Sequence, residues 1–214
     1  KILGRSKHGN FALSRARGEY FNFLDDDDFF YPEHLELLTG LLQNTPKADM
    51  AAASCLQLKT RIHCLEPQYQ FDIKEIIYIP VARIDPFTFC KRNLTPILSV
   101  LFHRKFYDQM GGLREDIDTA EDWAMWLRYM TMKPAYVTTP RATCAYTVPY
   151  DNQLRQDKLN SYAVNEAKVY EDPDLRFDLS AEELKDYYDM MLSDIRHFHH
   201  VGTLEEYLNR IQSM

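Results

Sequence analysis

Tyr20-Phe21-Asn22-Phe23-Leu24-Asp25-Asp26-Asp27-Asp28-Phe29-Phe30-Tyr31-Pro32 is the stretch on which the reading of this chain turns. An apolar run reads as a buried strand, four consecutive carboxylates follow it, and Pro32 fits the first turn of a helix. Neighbouring carboxylates raise the cost of each other's ionisation unless a metal, a basic side chain or water compensates. If the strand pleat continues into the tetrad, Asp25 and Asp27 point to one side and Asp26 and Asp28 to the other, because strand side chains alternate. One side then offers two hard oxygen ligands, which suit Mg²⁺, Mn²⁺ or Ca²⁺ rather than zinc or copper. The plainer alternative is an acidic turn joined to a helix N-terminus.

Outward from the tetrad, Leu35, Leu38, Leu41 and Leu42 predict one apolar helical stripe that ends at Asn44-Thr45-Pro46. Met50 to Leu58 predicts a strand, and Tyr69 to Ile79, rich in Ile, Tyr and Phe, further extended structure. Residues 80–95 carry no clear period. Pro96 to Phe102 predicts a strand, Arg104 to Met110 a short helix, and Gly111-Gly112 its stop. Trp123, Trp126, Leu127 and Met130 recur at helical spacing between Thr119 and Met130, which predicts a helix with an inward apolar face. Ala135 to Thr139 and Thr143 to Val148 predict the last strands. Ser180 and Glu183 form a capping box for a helix to about His200, and Thr203 with Glu206 opens another. His197, His199 and His200 fit a solvated helix end better than a metal site, since no cysteine or carboxylate constellation accompanies them. The pattern predicts an α/β sheet flanked by helices, with a domain over residues 1–150 and a helical extension over 151–214.

A chain of 214 residues with 45% hydrophobic composition can bury a substantial core. Its net charge of −7 argues against sequence-independent binding to nucleic acid or to an anionic membrane. No apolar stretch approaches the roughly 20 residues of a transmembrane helix. Cys55, Cys64, Cys90 and Cys144 are too scattered for a zinc knuckle and too few for a disulfide scaffold, so reduced thiols are expected. The expected localisation is cytoplasmic, or peripheral at a membrane. The chain opens at Lys1 in a basic, loop-like segment without a first strand, so an upstream unit is expected to be missing.

Asn10-Phe11-Ala12-Leu13-Ser14-Arg15-Ala16-Arg17-Gly18-Glu19-Tyr20, running into Leu24, the aspartate tetrad and Pro32, resembles the central stretch of family 2 glycosyltransferases with the GT-A fold. The later residues resemble that family's second signature in the same order: Phe102-His103-Arg104 and Phe106, Gly111-Gly112-Leu113-Arg114-Glu115, Glu121-Asp122-Trp123 and Trp126-Leu127-Arg128. The two blocks span about residues 4–148. The resemblance implies a GT-A mixed sheet, with transfer of a sugar from a UDP-, GDP- or dTDP-linked donor to a carbohydrate or glycolipid acceptor hydroxyl, with inversion at the anomeric carbon. It implies that Asp25 and Asp27 match the Asp-x-Asp metal motif for Mg²⁺ or Mn²⁺, with Asp25 and Asp26 against the bound nucleotide. The N-terminal strands that grip the nucleotide base are not found in this sequence.

The chemistry explains these residue types. A departing nucleoside diphosphate gains negative charge, which a divalent ion stabilises. The attacking hydroxyl must lose a proton, and Asp122 is the candidate base, with Glu121 orienting the acceptor or stabilising the first helical turn. The alternative for Asp122 is structural: Thr119-Ala120-Glu121-Asp122 has the form of a capping box, with Thr119 as cap. Trp123 is read either as a sugar platform or as core, and Trp126 as core. Arg5 and Lys7 are read either beside the donor phosphates or as surface charge. Gly9-Asn10 stands where the family often has Arg-Asn, and no Gln-x-x-Arg-Trp motif follows the last strand, so a processive synthase is not supported. A non-catalytic module of the same fold is the second expectation.

Overall fold

A computed structural model describes residues 4–64, 70–81, 93, 95–117, 119–177, 180–182 and 185. Contacts divide the chain into Lys1–Arg176 and Phe177–Met214. In the second unit Ala181, Glu182 and Lys185 are helical; the remainder of the expected tail helices, with His197, His199 and His200, lies outside the described residues.

The first unit opens with α1 (Arg5–Arg15), where the sequence predicts a loop. There follow β1 (Tyr20–Phe21), β2 (Phe29–Phe30), α2 (His34–Asn44), β3 (Met50–Cys64) and β4 (Gln70–Ile79). A 3₁₀ turn over Ile97–Ser99 leads into β5 (Val100–His103) and α3 (Lys105–Met110), then α4 (Glu121–Met130), β6 (Tyr136–Pro149) and α5 (Asn152–Tyr170). Among the described residues the strands form one sheet in the order β1-β5-β3-β6-β2, with β4 also paired to β3. The β3–β6 pair is parallel and the others are antiparallel, so the sheet is mixed, as expected. The two predicted strands at 135–148 are one continuous strand, broken only by register shifts opposite Ala53, Ser54 and Cys55.

Residues Met50 to Cys55 of β3 are all buried, and the small side chains of Ala51, Ala52 and Ala53 let a helix approach closely. Leu38 and Leu42 of α2 pack on Ala51, Ala53 and Leu101. Helix α2 starts at His34 instead of Pro32, and its buried line is His34, Leu38 and Leu42, with Leu35 48% exposed. Strand alternation puts Phe102 on the opposite face from Leu101, and there Phe102 meets Trp126 edge-on at 5.4 Å between ring centroids. Helices therefore cover both faces of the sheet.

Helix α4 is buried on all sides, and not only along the predicted stripe. Its outer side is closed by α5, whose Tyr162 stacks on Trp123 at 6.0 Å and whose Tyr170 meets it edge-on at 5.5 Å. Arg128 is accommodated in this interior because Nη1 donates to the carbonyl of Met110 at 2.9 Å, Nη2 donates to that of Gly112, and Asp172 lies 3.6 Å from Nε. Arg114 also faces Asp172, at 3.7 Å, and donates to the carbonyl of Lys168 at 2.7 Å.

The Gly111-Gly112 stop has two separate causes. Gly111 takes φ +74°, a conformation that favours glycine. Gly112 has no room for a side chain, because a Cβ there would stand 2.2 Å from Asn10 Oδ1. Asn10 fastens α1 to this loop by a reciprocal pair of bonds with Leu113: Nδ2 donates to its carbonyl at 2.8 Å, and Oδ1 accepts from its N–H at 2.7 Å.

Candidate active site

Strand β1 stops at Phe21, short of the predicted Leu24. Asn22 diverts the chain by donating its amide to the carbonyls of Leu98 at 3.1 Å and Val100 at 2.7 Å, and Phe23 stacks over Phe102. The tetrad is consequently a turn, in which the N–H of Asp28 donates to the carbonyl of Asp25 at 3.2 Å. The expected pleat through Asp25–Asp28 is corrected by this geometry. Chain reversal brings Asp28 back beside Asp25, so one carboxylate oxygen from each of Asp25, Asp27 and Asp28 lies within 4.8 Å of the others. Asp26 sits at the turn, exposed and outside that cluster.

Strand β6 fixes the returning half of the turn. Phe29 and Phe30 pair with Ala145 and Cys144, and Thr147 then holds two carboxylates. Its hydroxyl donates to Asp27 Oδ2 at 2.9 Å and its N–H to Asp28 Oδ1 at 3.1 Å. Burial and the charges of Asp27 and Asp25 push the Asp28 carboxyl up to about 6, against the Thr147 bond and Arg5, which act to lower it. Beside Thr147, the Tyr146 hydroxyl accepts a bond from Gln57 Nε2 at 2.6 Å.

The second acidic motif enters on α4. Its N-cap is Ala120, in the left-handed conformation with φ 67° and with no side-chain cap. The capping-box alternative is therefore overturned: Thr119 is turned to α5, where its hydroxyl accepts from Asn165 Nδ2 at 2.9 Å and lies 3.2 Å from the Ser161 hydroxyl. Asp122 is half-buried, and its Oδ1 accepts from Asn93 Nδ2 at 3.1 Å and from the N–H of Trp123 at 2.8 Å. Glu121 is buried. Desolvation raises the pKa of both carboxyls, and for Glu121 the charge of Asp122 adds to it.

Arg5 connects the two motifs. Its Nη2 pairs with Asp25 Oδ2, and its Nε lies 3.2 Å from Glu121 Oε1. The aspartate turn and the Glu121-Asp122 pair thus face one site, although they lie far apart in the sequence. Lys7 instead approaches Glu115, at 4.0 Å. Trp123 and Trp126 are 0% and 1% exposed, so both are core and neither is a platform for a sugar. Sequence reasoning missed Asn93, Thr147 and the Gln57–Tyr146 pair. Asn93 stands in a stretch without a period, and nothing local distinguishes Thr147 from any other strand threonine; only the register of β6 reveals it.

A mixed sheet between helices, with an acidic turn and an acidic helix start directed at one site, defines the class as a GT-A glycosyltransferase fold. Two S. aureus TarS crystal structures share it. The complex with UDP-GlcNAc matches with TM-score 0.53 and 15% identity, over 96% of this chain and 58% of that one. The complex with UDP matches with TM-score 0.50 and 17% identity, over 97% and 58%. Within the class, residues 3–79 match the sequence model of glycosyl transferase family 2. An uncharacterized glycosyltransferase of Rickettsia felis is 23% identical over 136 residues, covering 59% of this chain and 21% of that protein. One of Rickettsia prowazekii is 22% identical over 174 residues, covering 76% and 48%. The chain thus spans about half or less of the length of these relatives. Among the described residues no helix is long and apolar enough to cross a membrane.

Proposed function

We propose that the chain is the transferase portion of an inverting, divalent-metal-dependent glycosyltransferase that moves a sugar from a nucleoside-diphosphate donor to an acceptor hydroxyl in glycan synthesis. The observation that carries this reading is Arg5, one side chain in reach of both Asp25 and Glu121. The residues fit a divalent cation: Asp25, Asp27 and Asp28 supply converging hard oxygens, and Asp28 is pushed up to about 6 by burial and by neighbours of its own charge. Mg²⁺ or Mn²⁺ held there supplies Lewis-acid stabilisation of the leaving diphosphate. Asp26, which was expected beside the nucleotide with Asp25, stays a proposed contact from the open side of the turn.

Asp122 is proposed as the base. Asn93 Nδ2 and the N–H of Trp123 both donate to Oδ1, which fixes the plane of the carboxylate, and Oδ2 is proposed to meet the acceptor hydroxyl. Its raised pKa makes it a stronger proton acceptor. Buried Glu121, held by Arg5, is proposed to position the start of α4. A UDP-linked donor is the first to try, since TarS, which shares the fold, is seen with UDP and UDP-GlcNAc; GDP- and dTDP-sugars complete the panel. The acceptor is proposed to be a carbohydrate or glycolipid. Residues 1–150 are proposed as the transferase body and 151–214 as its extension.

The test uses the whole protein with that donor panel and Mn²⁺ or Mg²⁺. Asp122→Asn is expected to lower kcat by about 10²- to 10⁴-fold while donor affinity is kept. Unchanged turnover in that variant rejects the base, and unchanged turnover after chelation rejects the metal. No metal-dependent nucleotide affinity at all would identify a non-catalytic GT-A module.

A further inference from the structure

Arg5 has a second consequence. Its guanidinium is anchored at one end on Glu121, whose side chain is 6% exposed, and reaches at the other to Asp25, which is 34% exposed. Asp25 is also one of the three carboxylates that converge in the aspartate turn. The Asp25 carboxylate is thus claimed by a monovalent side chain and by any divalent cation the turn takes up. Two such positive charges a few ångströms apart repel strongly enough to cost about tenfold in affinity, even with solvent screening. Arg5 is itself half-exposed and sits on the first turn of α1, so its outer nitrogens can swing without disturbing the core.

We propose that Arg5 is an exchanging counterion. It ties Asp25 to Glu121 while the aspartate turn holds no cation, gives up Asp25 when the turn is charged, and then offers its freed nitrogens to the donor's diphosphate while Nε stays on Glu121. Guanidinium suits this work because its planar fork pairs as well with phosphate as with carboxylate and keeps its charge throughout. The inference rests on the reading of the site as one for a metal and a nucleoside diphosphate, and it assigns Arg5 a positioning role that changes with occupancy.

The experiment compares wild type, Arg5→Gln and Arg5→Lys in two assays. Mn²⁺ affinity without nucleotide is read from the electron paramagnetic resonance signal of the free ion. UDP affinity at saturating Mn²⁺ is read by calorimetry. Arg5→Gln is expected to bind Mn²⁺ alone about tenfold more tightly and UDP about tenfold more weakly, a pair of opposite shifts that a purely structural arginine does not produce. Arg5→Lys keeps the charge without the fork and is expected to move both affinities the same way by less, which tests the idea even if the glutamine variant folds poorly. Shifts of one sign in both assays, or no shift in either, overturn the exchange. If wild type binds UDP with Mn²⁺ while the variants stay flat, the exchange alone fails. If wild type binds no UDP at any Mn²⁺ concentration, the exchange and the functional reading fall together.

Discussion

Replacing Asp28 with asparagine is expected to stabilise the metal-free protein, and by an amount that depends on pH. Burial and two neighbouring aspartates carry this carboxyl from 3.8 to about 6. Each pH unit of displacement corresponds to about 1.4 kcal/mol, so the ceiling is about 3 kcal/mol. Asp28 is only half-buried, and solvent screening reduces the figure to about 1–2 kcal/mol. The sign follows from linkage. A carboxyl whose folded pKa is raised binds its proton more tightly in the native state, so wild-type stability is full below about pH 4, falls as pH rises toward 6 and stays lower above. Asparagine keeps a carbonyl oxygen for the N–H of Thr147 and carries no charge at any pH. Melting curves in chelator should therefore show Asp28→Asn above wild type by about 2–8 °C at pH 7.5, with a smaller gap at pH 4.5. Saturating Mn²⁺ should close or reverse the gap, because wild type then gains binding energy that the variant has lost. A gap that does not change between pH 4.5 and 7.5, or a less stable variant at pH 7.5, would refute the account of the aspartate turn as a charge cluster that Arg5 and Thr147 compensate only in part.

Two further substitutions probe the frame around the site. Asp172→Ala leaves Arg128 and Arg114 without their shared buried carboxylate, and a loss of about 2–4 kcal/mol in chemical denaturation is expected; a loss below about 0.5 kcal/mol would show that the backbone carbonyls suffice. Gly112→Ala puts a methyl group 2.2 Å from Asn10 Oδ1, which must break the reciprocal bonds to Leu113. About 1–3 kcal/mol of stability should be lost, and Asn10→Ala in the same background should add little, since the bonds it removes are already gone.

The parts of the site that could be read from sequence are those whose chemistry is concentrated in short stretches. Four adjacent aspartates and the Glu121-Asp122 pair announce themselves by composition, and the alternation of apolar runs with helical stripes is enough for a sheet covered by helices. The course of the chain through the tetrad could not be read the same way. A run such as Phe21 to Leu24 has strand character, and only the amide of Asn22, bonded to carbonyls 76 and 78 residues away, ends the strand early. Helix α1 was hidden for a related reason: its polar sequence buries just Ser6 and Leu13, too few apolar positions to make a period. The capping-box pattern at Thr119 misled because a hydroxyl can serve any nearby partner, and α5 presents Ser161 and Asn165 to it. Arg5 illustrates the limit most directly, since sequence leaves it between a phosphate contact and surface charge until the fold brings two distant acids to it.

Ala120 ties local geometry to evolvability. A residue with a side chain held at φ 67° stores about 1 kcal/mol or more of backbone strain that glycine would avoid. Ala120 is nonetheless only 4% exposed, set in the interior just ahead of Glu121 and Asp122. Glycine would relax the bend and also free it to swivel, and the angle at which the two acids leave the protein body would then be set by thermal motion. Beside Arg5 and Asn93, a methyl group in an uncomfortable place helps to hold the aim of the site.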